Sequence, residues 1–335
     1  MQKDFDRIFS VLKTYENFEQ YMLNHDNTVN EGLLKNHINL WISQFDATEQ
    51  EFMASITANL LEQRFLSKEN EINFIKGLFN NPTLLNNDSM PFPLNIQRNG
   101  NSQNRLVQHY TLFMNELNHS YSQDSVIYLD DFIFSGGRVF SDLSNWIPLQ
   151  DKSYNIFVVV IGYHTNIWSV KNQLHAKIFQ NNQAKKIQST LSFLKCYEWE
   201  NRLFKKNESD ILWPMEKFFK NPNYYSHIDP KFNYRDGFLA TPQSFFKNND
   251  DRVKFENICL KYGFKIIQRC QNPNNTTRPL GNYRFGYGFG GLVFTYKNCP
   301  NNTPLLFWWG SSDPHNPMYN QWHPLMPRRT YGQAC

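Results

Sequence analysis

The sequence has no C-x-x-C pair; its five cysteines (Cys196, Cys259, Cys270, Cys299, Cys335) are scattered and odd in number. That spacing argues against a disulfide framework and against a structural zinc site, and it leaves small core residues or free thiols as the reading. Long hydrophobic runs are also missing. The strongest, at residues 156–162, is far too short to cross a bilayer, so no membrane contact is expected. The opening stretch MQKDFDRIFSVLKTYENF is charged and amphipathic, unlike a secretory leader. Together these absences predict a soluble, cytoplasmic protein. Excess charge is small: 34 Lys and Arg stand against 30 Asp and Glu, a net +4. Such a balance suits a phosphate ligand or a weak nucleic-acid contact and requires neither. What is plentiful is apolar and aromatic, 40% and 16% of 335 residues, enough for a sizeable buried core and too much for a disordered chain.

Residues 1–85 read as a helical module. Phe5, Ile8, Phe9 and Leu12 recur at helical spacing, and Leu33, Ile38, Trp41 and Phe45 mark a second helix. Thr48 followed by Glu51 offers a capping box for a third, and Ser67 an N-cap for a fourth. A breaker-rich stretch (Asn80-Asn81-Pro82, Pro91-Phe92-Pro93, Asn99-Gly100-Asn101-Ser102) separates this module from a second domain at residues 86–335. There a helix is expected from Leu106 to about Leu117, a strand over 125–129, a helix over 139–146 and a strand over 156–161. That order and size define a βαβ unit, and the near-continuous apolar second strand suits a parallel sheet covered on both faces. Residues 166–222 are polar, basic and partly helical, and read as an insertion or covering segment. Residues 250–262 read as a helix stopped by Gly263 and followed by a strand over 264–267, and residues 292–309 as a hairpin.

Chemistry concentrates in Val126-Ile127-Tyr128-Leu129-Asp130-Asp131-Phe132-Ile133-Phe134-Ser135-Gly136-Gly137-Arg138. A buried strand delivers two adjacent carboxylates, and a bend with a hydroxyl and two glycines then opens a helix. Ligands of open α/β sheets bind beyond the carboxyl ends of strands. Glycines let successive amides face one point, and with the helix N-terminus they cradle an anion. Ser135 adds a hydroxyl and Arg138 a planar cation. Paired carboxylates just before such a cradle can accept bonds from adjacent sugar hydroxyls. The bland alternative, a strand end capping a helix beside an ordinary turn, is outweighed by the joint pattern.

This string resembles the fingerprint of the type I phosphoribosyltransferases: apolar residues, two acids, a spacer, Ser or Thr, glycines, then usually Thr or Ser. The resemblance implies an α/β, phosphoribosyltransferase-like parallel sheet with flanking helices beside the N-terminal helical module. It implies Asp130 and Asp131 on the ribose hydroxyls, the bend Phe134, Ser135, Gly136, Gly137 and Arg138 on the 5-phosphate, and Mg²⁺ carried on the diphosphate and ribose of a phosphoribosyl donor with no direct protein ligand. Arg138 stands where that family has a hydroxyl. Phe134 stands where purine-salvage members have an Asp, so base salvage ranks last. The chain is also similar to phosphoribosyltransferase-like effectors of bacterial conflict and anti-phage loci, including retron-associated ones. The residues carrying this are Trp41-Ile42-Ser43-Gln44-Phe45-Asp46, the acid-pair bend, Asn298-Cys299-Pro300-Asn301-Asn302-Thr303-Pro304-Leu305-Leu306-Phe307-Trp308, and Trp322-His323-Pro324-Leu325-Met326-Pro327-Arg328-Arg329. That likeness implies as partner a reverse transcriptase with its small DNA, or a DNA-binding regulator.

Further candidates are weighed against plainer roles. Ser102, with Arg98-Asn99-Gly100-Asn101, offers a polar loop for diphosphate or an ordinary interdomain loop in equal measure. His164, after the second strand, can meet a phosphate and titrate near neutrality, but a satisfied structural histidine is favoured. Asn301 and Asn302 can read a base, though Pro-Asn-Asn is good turn chemistry and the turn is preferred. Lys185 and Lys186 read as a solvated face rather than a nucleic-acid contact. Three classes therefore stand in order: an enzyme or enzyme-derived effector on a phosphoribosyl donor or nucleotide, a non-catalytic ligand sensor, and a nucleic-acid-associated component of a defence complex.

Overall fold

A computed structural model describes residues 1–18, 22–97, 102–199 (the Ser102 side chain excepted), 211–212, 246–270, 276–283, 286–311 and 322–328. The chain divides into two units, Met1–Lys68 with Asn201–Cys335, and Glu69–Glu200. The sequence division had been drawn at 85/86, in the breaker-rich stretch.

The first unit begins with α1 (Gln2–Leu12), α2 (Glu31–Ser43) and α3 (Ala47–Arg64), where the apolar periodicity predicted helices. Asn30 caps α2, its side chain accepting from the Leu33 amide. The expected capping box at Thr48 is not formed. Helix α3 starts two residues earlier, after Asp46, and Asp46 and Glu49 turn instead to Lys261 at 2.6 and 2.9 Å. Strand β1 (Phe65–Leu66) closes this amino-terminal part.

The second unit is a four-stranded parallel sheet with strand order β2-β3-β4-β5: β2 (Ser89–Pro93), β3 (Ser120–Ile133), β4 (Asn155–His164) and β5 (Thr190–Trp199). Helix α4 (Lys68–Leu78) and α5 (Ser102–Glu116) cover one face, where Ile75, Leu106, Tyr110 and Met114 pack on Ile127, Leu129 and Val159. Helix α6 (Gly137–Trp146) and α7 (Trp168–Lys185) cover the other, where Val139, Leu143, Leu174 and Ile178 pack on Val126, Tyr128, Val158 and Val160. Burial on both faces accounts for the unbroken apolar run of β4. Residues 166–199, read from sequence as part of an insertion, instead supply the crossover helix α7 and the fourth strand. Their polar weight reflects a helix that buries Val170, Leu174 and Ile178 on a single stripe and an edge strand that is largely exposed.

The first unit resumes with α8 (Asn249–Arg269). Gly263 does not stop it, and no strand forms over 264–267. The glycine is needed because Pro279 lies where a side chain would stand, 2.7 Å from an ideal Cβ. The predicted hairpin is also absent. Strand β6 (Phe294–Thr295) pairs in parallel with β1, and residues 305–308 form the short helix α9 (Leu305–Trp308). The core is aromatic, built around Trp41, Phe45, Phe255, Tyr262, Phe307 and Trp322. Cys196, Cys259 and Cys299 are free thiols, whereas Cys270 is disulfide-bonded. No helix among the described residues is long and apolar enough to cross a membrane.

Candidate functional site

Two features of the sheet unit converge on β3. Its pairing with β2 ends at Pro93↔Ile127, while its pairing with β4 continues to Ile133↔Tyr163. The last third of β3 therefore runs past β2, with its β2-facing edge unladdered by any strand among the described residues. The connections also diverge here. From β2 the chain passes to α5 on one face, and from β3 it passes to α6 on the opposite face. Adjacent parallel strands whose connections leave to opposite faces open a crevice at their carboxyl ends, where α/β proteins bind ligands. Asp130 and Asp131 lie on this stretch, inside the strand rather than beyond it as the sequence had suggested.

The two carboxylates are not equivalent. Asp130 is 6% exposed and its Oδ1 accepts from the Asp131 amide at 3.0 Å. Asp131 is half-buried, and its Oδ1 accepts from the Phe132 amide at 2.8 Å. Nearby, the Tyr128 hydroxyl donates to Asp142 Oδ2 at 2.8 Å. Burial, and after it the charges of Asp130 and Asp142, push the Tyr128 hydroxyl far above its ordinary range, with Arg138 opposing. Tyr128 thus remains a proton donor at any physiological pH, with Arg138 a cation within its electrostatic reach.

After the strand, Phe134 is buried while Ser135, Gly137 and Arg138 are exposed. Gly136 adopts φ 74°, left-handed backbone that glycine takes without strain, and occupies the N-cap position of α6. An ideal Cβ there would lie 2.9 Å from Val170 Cγ2, so the bend rests directly on α7. Ser135 Oγ accepts from the Gly137 amide at 3.4 Å, a local bond that shapes the turn. Phe134 anchors the other side. Its ring stacks on Trp199 with centroids 5.7 Å apart and planes 8° apart, and Phe132 meets the same indole edge-on at 5.3 Å. Gly162 is the residue that admits Trp199, whose ring occupies the space of its missing side chain. Trp199 and Gly162 escaped the sequence reading; an isolated glycine following an apolar strand was the available signal.

Beside this bend, Lys171 Nζ donates to Tyr163 Oη at 2.8 Å, and Lys195 pairs with Glu198 at 2.9 Å. Desolvation lowers the Lys171 ammonium, and burial, followed by Glu198, pushes Tyr163 up to about 12.

The remaining candidates separate. His164 is buried, and its Nδ1 accepts from the Asn166 amide at 3.0 Å, capping the turn after β4, a structural placement. Ser102 opens α5, but residues 98–101 lie outside the described residues, as does Arg329. Asn301 and Asn302 belong to the other unit. There Asn302 Nδ2 donates to the Asn282 carbonyl at 2.8 Å, and the Asn301 carbonyl accepts from the Asn282 amide at 2.6 Å, which is turn chemistry. Lys185 closes the turn after α6, donating to the Pro148 and Gln150 carbonyls at 2.7 and 3.0 Å. A surface groove lined by Phe179, Asn182, Lys186 and Gln188 lies at the start of β5, the opposite end of the sheet from the acid pair.

Parallel sheet, flanking helices and acid-pair bend together define a phosphoribosyltransferase-like protein. A family model described as PRTase-CE matches residues 38–328, most of the chain, and the chain belongs to that family. The match spans both units, so the family is not defined by the sheet alone. No curated protein and no solved structure matched the chain.

Proposed function

We propose that the chain binds a phosphoribosyl donor or nucleotide at the carboxyl end of β3 and acts as a phosphoribosyltransferase-type effector in bacterial anti-phage defence. One observation carries the reading: the acid pair and glycine bend coincide with the open edge of β3 at the divergence of the connections. A motif read from residue types and a crevice read from topology are independent pointers to one place.

In this reading Asp131, half-exposed, accepts a bond from one sugar hydroxyl, and Asp130, set deeper, takes the neighbouring one. The amides of Gly136, Gly137 and Arg138, at the positive end of α6, receive the 5-phosphate. Arg138 adds a planar, permanent charge. Mg²⁺ would be carried on the diphosphate and ribose oxygens of the donor with no direct protein ligand, since this hard ion keeps much of its water. When bound, the ion neutralises charge on a departing diphosphate. The chain's own groups orient sugar and phosphate and stabilise developing charge.

The test is calorimetric titration of 5-phosphoribosyl 1-diphosphate with Mg²⁺ into the full chain and into Asp130→Asn/Asp131→Asn. Binding should be lost or fall by at least about tenfold in the variant, more than about 1.4 kcal/mol; equal binding rejects the assignment. A second reading, a ligand sensor without turnover, is favoured by Arg138 in place of a loop hydroxyl and by Phe134 being packed on Trp199. Release of diphosphate separates the two. A partner such as a reverse transcriptase with its small DNA, or a DNA-binding regulator, follows from the resemblance; salt-dependent DNA binding that survives loss of the acid pair would mark that role.

A further inference from the structure

Gln103, at the start of α5, is completely buried. Its Oε1 accepts from the amides of Ile96 at 3.2 Å and Gln97 at 2.8 Å, and its Nε2 donates to the Leu129 carbonyl at 3.4 Å. One carboxamide thus ties the chain leaving β2 to the residue just before Asp130, on the edge of β3 that β2 leaves open. It holds Gln97 at that edge. Gln97 is itself 8% exposed, and its Oε1, shut off from solvent, has no hydrogen-bond partner among the described residues. Burying an acceptor without a donor opposes folding, and native proteins retain few such groups outside functional sites.

We propose that Gln97 contacts the ligand of the phosphoribosyl site, its carboxamide oxygen accepting a hydrogen bond from a ligand hydroxyl or from water on the ligand's metal ion, and that Gln103 is the positioning residue presenting it. The proposal rests on the phosphoribosyl reading. The chemistry of the crevice fixes which part of the ligand is met. A carboxamide oxygen lacking a partner is satisfied by a donor, and hydroxyls or metal-bound waters donate, whereas phosphate oxygens only accept. Gln97 therefore reads the sugar or hydrated-metal side, and the amide bend keeps the phosphate.

The experiment titrates 5-phosphoribosyl 1-diphosphate with Mg²⁺ into the full chain and follows thermal denaturation of each protein without ligand. Gln97→Met keeps the volume and removes the oxygen. Affinity should fall about tenfold while Tm stays level or rises, because a buried acceptor without a partner has gone. A residue of merely structural value cannot move the two in that way. Gln103→Met should weaken binding in the wild-type background and add little once Gln97 is Met; additive effects overturn the positioning role. If Gln97→Met does not fold, Gln97→Asn, which withdraws the carboxamide by one methylene, is read in the same terms. Unchanged affinity, or affinity and Tm falling together, overturns the proposal. Binding abolished by Asp130→Asn/Asp131→Asn but untouched by Gln97→Met overturns this inference alone; no binding by wild type removes the site reading and this inference with it.

Discussion

The two units solve the same problem, holding a chain in place, by different means. In the sheet unit, backbone does the holding: β3, β4 and β5 pair over most of their length, and aliphatic side chains fill both faces. In the other unit, the described carboxyl-terminal segments have little regular structure and are tied by side chains reaching for main-chain carbonyls. The indoles of Trp41 and Trp322 both donate to Leu306 O, at 2.9 and 2.8 Å, and Tyr15 Oη donates to Pro327 O at 2.8 Å. Arg328 donates to Cys299 O at 2.9 Å. Main-chain ladders tolerate variation in side chains, because any residue but proline supplies the bond. Side-chain ties do not. The sheet unit can thus vary its surface around a fixed crevice, whereas the aromatic unit depends on individual residues.

The sharpest way to break that contrast is Trp41→Ala. The ring is fully buried, lies stacked on Phe307 at 5.9 Å, and carries one of the two bonds to Leu306 O. Its removal should cost about 3–5 kcal/mol in chemical denaturation. Trp41→Phe keeps most of the apolar volume and loses the donor, and should cost about 1–2 kcal/mol. Equal losses in the two variants would mean that packing alone holds the segment and that the ties are incidental.

Acid should separate the units next. His37 and His323 are both buried and bonded to each other at 2.9 Å, with the other His37 nitrogen against Leu325 O at 2.9 Å. Burial, with His323 beside it, depresses His37 to about 3, and burial depresses His323 to about 4. Both values lie below that of an unfolded histidine, so the folded state resists protonation. Their contribution is intact above about pH 6.5 and is lost as pH falls towards 4, on the order of 2–3 kcal/mol for each histidine by pH 4.5. Hydrogen exchange followed from pH 7 to 4.5 should loosen segments around residues 31–43 and 322–328 before the sheet strands. His37→Gln should flatten the pH slope; an unchanged slope excludes the pair as its source.

The same contrast explains what the amino-acid sequence disclosed. Helices α1 to α3 and strands β3 and β4 were legible because burial on one stripe, or on both faces, leaves a period in the apolar residues. The acid-pair bend was legible because glycines and carboxylates are scarce and ordered there. Helical character around α7 was legible, but its place as the sheet's crossover was hidden by its polarity, with Val170, Leu174 and Ile178 its buried apolar stripe. Gly263 was read as a stop because glycine breaks helices when nothing demands it; here the approach of Pro279 does. Gln97 and Gln103 leave no trace at all, since a glutamine bound to main chain looks like any surface glutamine until the fold buries it.

The smallest expected effect bears most directly on the crevice. Gly136→Ala places a methyl at φ 74° and within 2.9 Å of Val170 Cγ2. The backbone part of the cost is about 1–2 kcal/mol, the usual penalty for an L-residue in left-handed conformation. The contact part depends on whether Val170 can give way. Combining the change with Val170→Ala separates the two: the double variant should recover the contact share and leave the backbone share, a coupling readable in a thermal-denaturation cycle. Because Gly136 shapes the phosphate bend, affinity for 5-phosphoribosyl 1-diphosphate should fall in Gly136→Ala and be only partly restored in the double variant. Full restoration would place the requirement for glycine in the contact with α7 rather than in the turn, and the bend would then be set by packing, as in the aromatic unit, instead of by backbone.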